Sequence, residues 1–186
     1  MKSLRYLYKI GRGPSSSHTM GPEKACRIFM KRYPQADEYE ATLLGSLSAT
    51  GKGHLTDEVI RETFASGKVT VIFGDTDESK LLHPNTLILK AKSGGAVLGE
   101  SEVYSVGGGE IVFKGEKQNA AEEIYPHKTF DEIKEFCIEN SLKLWQYAEI
   151  YEGGEIWNFL QNMWENMQNC VLRGLKTDGV LSGGLN

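Results

Sequence analysis

The sequence predicts an α+β fold, a mixed helix–strand domain followed by a helical extension, and three observations carry that prediction. Short runs rich in β-branched residues crowd the middle of the chain, between residues 69 and 113. Two helix patterns, one opened by a proline and one by acidic residues, lie before that stretch. From Phe130 onward apolar residues recur every three or four positions, with no further strand pattern.

In chain order, residues 4–10 form a short β-prone run that Gly11 and Gly13 end. A polar loop, Ser15-Ser16-Ser17-His18-Thr19, follows. Pro22 then opens a helix, since proline is tolerated in a first turn and Glu23 suits the positive end of the dipole. Ala25, Ile28, Phe29 and Tyr33 share one face, and Pro34 stops it. Residues 40–48 read as a strand running into Thr50-Gly51-Lys52-Gly53-His54. A helix starts at Thr56 or Asp57, with Leu55, Val59, Ile60 and Phe64 as its buried face. Strands are expected at 69–73, 86–90, 97–106 and 110–113, the last two joined as a hairpin around Gly107-Gly108-Gly109. Helices are expected from Phe130, over 142–152, and over 155–175 after the Gly153-Gly154 break.

Hydrophobic residues make up 40% of the 186, enough for a core without disulfide staples. A net charge of −4 gives no electrostatic reason to expect nucleic acid or an anionic membrane as partner. No apolar run approaches the ~20 residues of a membrane span, and Met1-Lys2-Ser3-Leu4 does not begin a signal peptide, so a cytoplasmic address is expected. Cys26, Cys137 and Cys170 form no CxxC pair and no zinc-site spacing; all three read as small buried side chains in helices.

Two loops carry chemistry. Gly13 to Pro22 lies between a strand-like run and a helix, where free N–H groups and the helix dipole favour an anion. The hydroxyls of Ser15, Ser16, Ser17 and Thr19 add donors, and His18 can carry a proton near neutral pH. The same stretch also reads as an ordinary serine-rich loop with Thr19 capping the helix. The second loop, Thr50 to His54, fails as a phosphate loop: five residues separate Gly45 from Gly51, and glycine follows Lys52. What remains is a flexible backbone with Lys52 as a point charge and His54 beside it, or a tight turn with an exposed lysine. His83, His127 and the three tryptophans read as structural or solvated.

Taken together, the motifs resemble the iron–sulfur-dependent L-serine dehydratase family. Gly13–Pro22 looks like its β-domain signature and Gly45–Asp57 like its second; Tyr104–Gly109 resembles a third, and Asp178–Leu185 the start of the catalytic domain. The resemblance implies a mixed α/β domain of the allosteric-substrate-binding type over residues 1–150. Residues 151–186 would then be a linker helix and the truncated start of the α, cluster-binding, domain. It implies a [4Fe–4S] cluster held by cysteines of the α domain beyond Asn186, with none of this chain's cysteines as a metal ligand and no pyridoxal phosphate. The open iron would act on the substrate hydroxyl as a Lewis acid while a base removes the α-proton of L-serine; aminoacrylate would then give pyruvate and ammonia. His18 is the nominee for that base and His54 the second proton-transfer candidate. Ser15, Ser16, Ser17 and Thr19 would hold the carboxylate, with Thr50, Gly51 and Lys52 lining the other wall. The fragment alone would be inactive, and strand edges together with the resemblance imply a homodimer.

A non-catalytic serine-sensing domain is the rival from another class; it needs anion donors but no proton acceptor. A pyridoxal-phosphate dehydratase with Lys52 as the Schiff base would need a phosphate cup that this sequence does not supply.

Overall fold

The computed structural model describes residues 1–64, 68–117 and 123–180. They divide into two compact units, Gly11–Gln118 and Met1–Ile10 with Asn119–Val180. Part of the run read as the start of a catalytic domain, residues 181–185, lies outside the described residues.

The larger unit is built on a five-stranded sheet: β1 (Glu38–Gly45), β2 (Lys68–Phe73), β3 (Asn85–Ser93), β4 (Ala96–Gly107) and β5 (Glu110–Phe113). The order is β2-β1-β3-β4-β5, with β1 and β2 parallel and every other pair antiparallel. A parallel pair needs a crossover, and α2 (Ser46–Thr50) and α3 (Thr56–Thr63) supply it. Along β1 burial alternates, the signature of a sheet covered on one face. Tyr39, Ala41 and Leu43 stand opposite Ala91, Leu89 and Leu87, and Leu87 stands opposite Val103. Onto this face α1 (Met20–Arg32) packs Ala25, Cys26 and Phe29, α2 adds Leu47, α3 adds Ile60, and the α3 C-cap adds Phe64. Full burial of a side chain such as Phe29 is worth about 1.5–3 kcal/mol. The other face is charged: Lys92 pairs with Glu40 at 3.0 Å, Lys90 with Glu100 at 3.3 Å and Lys114 with Glu102 at 2.6 Å.

Helix α1 forms where its residues predict. Pro22 and Glu23 occupy the first turn, Lys31 and Arg32 the last, and Tyr33 is the C-cap just before Pro34. Gly21 brings it close to the sheet, for a Cβ there would lie 2.1 Å from Ser105 Oγ. The strands of the middle fall where the β-rich runs place them, and Gly107, Gly108 and Gly109 all take positive φ in the β4–β5 turn.

Two secondary-structure expectations change. Residues 4–10 form no strand; Leu4–Tyr6 is a 3₁₀ turn, and Leu7 and Ile10 are exposed. The run lies in the smaller unit, where among the described residues no strand offers it an edge and only an isolated Lys2–Glu123 bridge forms. The strand expected over 40–48 ends at Gly45, whose φ of +56° turns the chain into α2. A Cβ at Gly45 would meet the Pro84 carbonyl oxygen at 2.4 Å, so only glycine fits the turn.

The smaller unit holds α4 (Phe130–Glu139), α5 (Leu144–Glu152) and α6 (Ile156–Leu175). Thr129 and Glu132 form a reciprocal capping box on α4, and Gly153 with φ +77° separates α5 from α6. Tyr125, Cys137 and Tyr147 are its buried centre, with Phe136 and Tyr151 against them. Glu152 ties in the N-terminus, accepting from Ser3 Oγ, the Leu4 N–H and Tyr125 Oη, each at 2.6 Å. Burial raises that carboxyl's pKa, but these donors and nearby Arg5 outweigh it and hold it below its ordinary value. Cys26 and Cys137 are buried as expected, whereas Cys170 is exposed. It stands on the last turns of α6, where Met167 and the run from Val171 to Leu175 are exposed, with Trp164 just before them at 56%. Among the described residues no helix is long and apolar enough to cross a membrane.

Candidate functional site

Both loops lie in the larger unit and meet at His18 and His54. The first loop winds into a tight turn before α1. Ser15 O accepts from the His18 and Thr19 N–H groups at 3.0 and 2.9 Å, and Ser16 O from the Gly21 N–H at 2.9 Å. These bonds consume part of the donor set that the sequence left open for an anion. The Ser16 and Ser17 N–H groups have no partner among the described residues. Thr19 does not cap α1 with its side chain. It is buried, and its hydroxyl lies 2.8 Å from the Ser15 carbonyl and against the Arg12 carbonyl, its single hydrogen shared between the two, closing the loop from inside. Arg12 in turn reaches α3, with Glu62 as its near partner and Glu58 at 3.4 Å. Such partly exposed pairs contribute little stability, about 0–1 kcal/mol each, but they link the two loops' elements.

His18 is only 7% exposed. Its Nδ1 lies 3.2 Å from Ser15 Oγ and 3.1 Å from Ser17 Oγ. Its Nε2 lies 2.9 Å from Thr50 Oγ1 and 3.4 Å from the Ser46 carbonyl. Burial lowers the His18 pKa from its usual value; the Ser46 carbonyl opposes that shift, and the neighbouring His54 adds to it. Near neutral pH this ring is uncharged.

His54 lies against it, ring centroids 4.5 Å apart and planes inclined by 35°. The loop that brings it there is closed by three backbone bonds, His54 N to Thr50 O, Leu55 N to Lys52 O and Thr56 N to Gly51 O. Leu55 takes a left-handed φ of +61°, a conformation that costs a non-glycine residue about 1–2 kcal/mol, directly beside His54. His54 Nδ1 is 3.0 Å from the Thr50 carbonyl. A carbonyl only accepts, so Nδ1 carries the hydrogen and Nε2 the lone pair. That Nε2 has no hydrogen-bond partner among the described residues. Half-buried, it is the one imidazole nitrogen of the pair left for a ligand.

The remaining residues named from sequence fall into place around this pair. Gly51 is buried, and a Cβ there would lie 2.2 Å from the Leu47 carbonyl oxygen and 3.2 Å from the Phe73 ring. Lys52 is exposed, its Nζ 5.3 Å above the centre of the same ring, an attraction worth about 0.5–1 kcal/mol at such a site. His83 and His127 are structural: His83 Nδ1 accepts from the Asn85 N–H at 3.0 Å, and His127 Nδ1 lies 3.0 Å from Tyr147 Oη. Sequence reasoning missed Ser46, whose carbonyl sits under His18, and Arg12. Nothing local marks either, because the approach is made by the sheet.

Residues 3–68 match the family described as serine dehydratase beta chain, a span that contains both loops. Residues 3–68 thus carry a serine dehydratase beta-chain domain. Over its whole length it is 31% identical to L-serine dehydratase 1 of Escherichia coli (strain K12) and 30% identical to L-serine dehydratase of Haemophilus influenzae, covering 52% of each. It is 30% identical to L-serine dehydratase of Streptomyces coelicolor, over 96% of this chain and 51% of that protein. The chain thus spans about half the length of the curated relatives it matches.

Proposed function

We propose that this chain supplies the proton-transfer wall of an L-serine ammonia-lyase, which converts L-serine to pyruvate and ammonia. The observation that carries the reading is the imidazole pair of His18 and His54, the inner ring uncharged and the outer one with its Nε2 lone pair unengaged. Elimination needs an acceptor near the α-carbon with a lone pair free at working pH. His18, the residue the sequence nominates, has chain atoms at both ring nitrogens. In this proposal the α-proton goes to His54 Nε2, and His18 stands behind it. The Ser16 and Ser17 N–H groups, with whichever hydroxyls of Ser15, Ser16 and Ser17 are not spent on His18 Nδ1, donate to the substrate carboxylate, and Lys52 adds a mobile positive charge at the rim. Thr19 holds the loop's shape.

The cysteines of this chain do not fit a cluster cradle. Cys26 is buried in α1, Cys137 is buried in α4, and Cys170 is exposed on α6. Among the described residues no three His, Cys, Asp or Glu side chains converge on a metal-sized site. In the proposed lyase the [4Fe–4S] cluster belongs to the α domain, and no pyridoxal phosphate takes part. The exposed apolar end of α6, with Trp164, Met167 and Val171, is where the α domain would pack, and the open edges of β2 and β5 are where a second copy would pair. A cytoplasmic setting goes with this reading.

The test is anaerobic turnover of L-serine by the complete enzyme after reconstitution with iron and sulfide. Pyruvate formation that is lost in air and independent of pyridoxal phosphate supports the lyase. Saturable serine binding without turnover would replace it with a serine-sensing domain.

A further inference from the structure

The two histidines share one neighbour, and its two oxygens do different things. Thr50 Oγ1 lies 2.8 Å from the Ser46 carbonyl and 2.9 Å from His18 Nε2, while its carbonyl faces His54 Nδ1 at 3.0 Å. A hydroxyl has one hydrogen to give. The Ser46 carbonyl can only accept, so that hydrogen goes to Ser46, and the Thr50 oxygen accepts from His18. Were the hydroxyl to donate to His18 Nε2 instead, the Ser46 carbonyl would face two groups, Thr50 Oγ1 and His18 Nε2, neither offering it a hydrogen. The far side of the ring agrees. His18 Nδ1 faces only hydroxyls, Ser15 and Ser17, and either can donate to a lone pair there.

We propose that Thr50 is a positioning residue that sets the tautomers of both histidines, holding His18 as Nε2–H through its hydroxyl and His54 as Nδ1–H through its carbonyl. The sequence reads Thr50 as lining the substrate; in the structure it also touches both rings. With both hydrogens drawn inward, the basic nitrogens left are His18 Nδ1, under Ser15 and Ser17, and His54 Nε2. The catalytic use of this arrangement rests on the lyase function proposed for the chain, while the tautomers themselves do not.

Long-range ¹H–¹⁵N correlation spectra of the ¹⁵N-labelled chain at about pH 8, where an ordinary histidine is neutral, read each ring's tautomer directly. His18 should appear as Nε2–H and His54 as Nδ1–H. In Thr50→Val the fraction of His18 present as Nε2–H should fall, the Ser46 carbonyl at 3.4 Å being the weaker acceptor that remains, and Thr50→Ser should restore it. His54 should be unchanged in both, since its partner is backbone. His18 found as Nδ1–H in the unaltered chain, or with its Nε2–H fraction unchanged in Thr50→Val, overturns the proposal. If Thr50→Val does not fold, the unaltered chain and Thr50→Ser still decide. In the complete enzyme Thr50→Val should lower kcat and Thr50→Ser recover it. Correct tautomers with turnover indifferent to Thr50→Val would sink the catalytic reading and leave the tautomer assignment standing.

Discussion

His18 and His54 lie ring against ring, centroids 4.5 Å apart, and Thr50 contacts both of them. The pair is asymmetric: one ring is buried with chain atoms at each nitrogen, the other is half-buried with Nε2 unengaged. In the proposed lyase that asymmetry gives the inner ring the supporting role and the outer ring the contact with substrate.

The buried ring makes stability depend on pH. Its folded pKa is lowered, chiefly by desolvation, from an unfolded value of about 6.5. Between the two values the unfolded chain binds more protons, so stability rises with pH across that window and is complete above it. Urea midpoints should therefore fall as the pH drops from about 7.5 through 6.5 and below, and His18→Gln should flatten this part of the profile. An unchanged slope in His18→Gln would assign the acid sensitivity to other groups.

Gly45 turns β1 into α2 and so puts Ser46 and Thr50 under His18. With φ at +56° and the Pro84 carbonyl oxygen 2.4 Å from any Cβ, Gly45→Ala should destabilise the fold by about 1–3 kcal/mol. Chemical denaturation checks this, and a neutral result would mean that β1 ends elsewhere.

The thiols should separate by reactivity. Burial raises the Cys26 pKa far above that of a free thiol, with nearby Glu23 adding to the effect, and Cys137 is also buried, whereas Cys170 is exposed. A thiol-titrating disulfide should modify Cys170 rapidly in the native chain and the other two only after denaturation, with peptide mapping to confirm which reacted. Fast native labelling of Cys26 would contradict the packing of α1 on the sheet.

Much of the fold was legible because its cues are local. Pro22 with Glu23, the acidic first turn at Asp57 and Glu58, and the triple-glycine hairpin each announce their element within a few residues. The 4–10 run misled because a β-prone segment becomes a strand only where an edge awaits it, and partner supply is not a local property. Cys170 misled for a related reason: helical spacing shows a face, not whether anything covers it. At the site, the two histidines stood out as titratable groups between glycines. Their contact, Thr50 bonded to both and the Ser46 carbonyl beneath were not legible, because they depend on β1 carrying residue 46 back beside residue 18.

The most direct measurement follows L-serine deuterated at Cα in the complete enzyme, held anaerobic, comparing the unaltered protein with His54→Asn. Release of the α-deuterium and pyruvate formation should both fall by about 10²–10⁴-fold in His54→Asn, while serine still binds. Deuterium release at the unaltered rate in His54→Asn would contradict the assignment of His54 Nε2 as the proton acceptor.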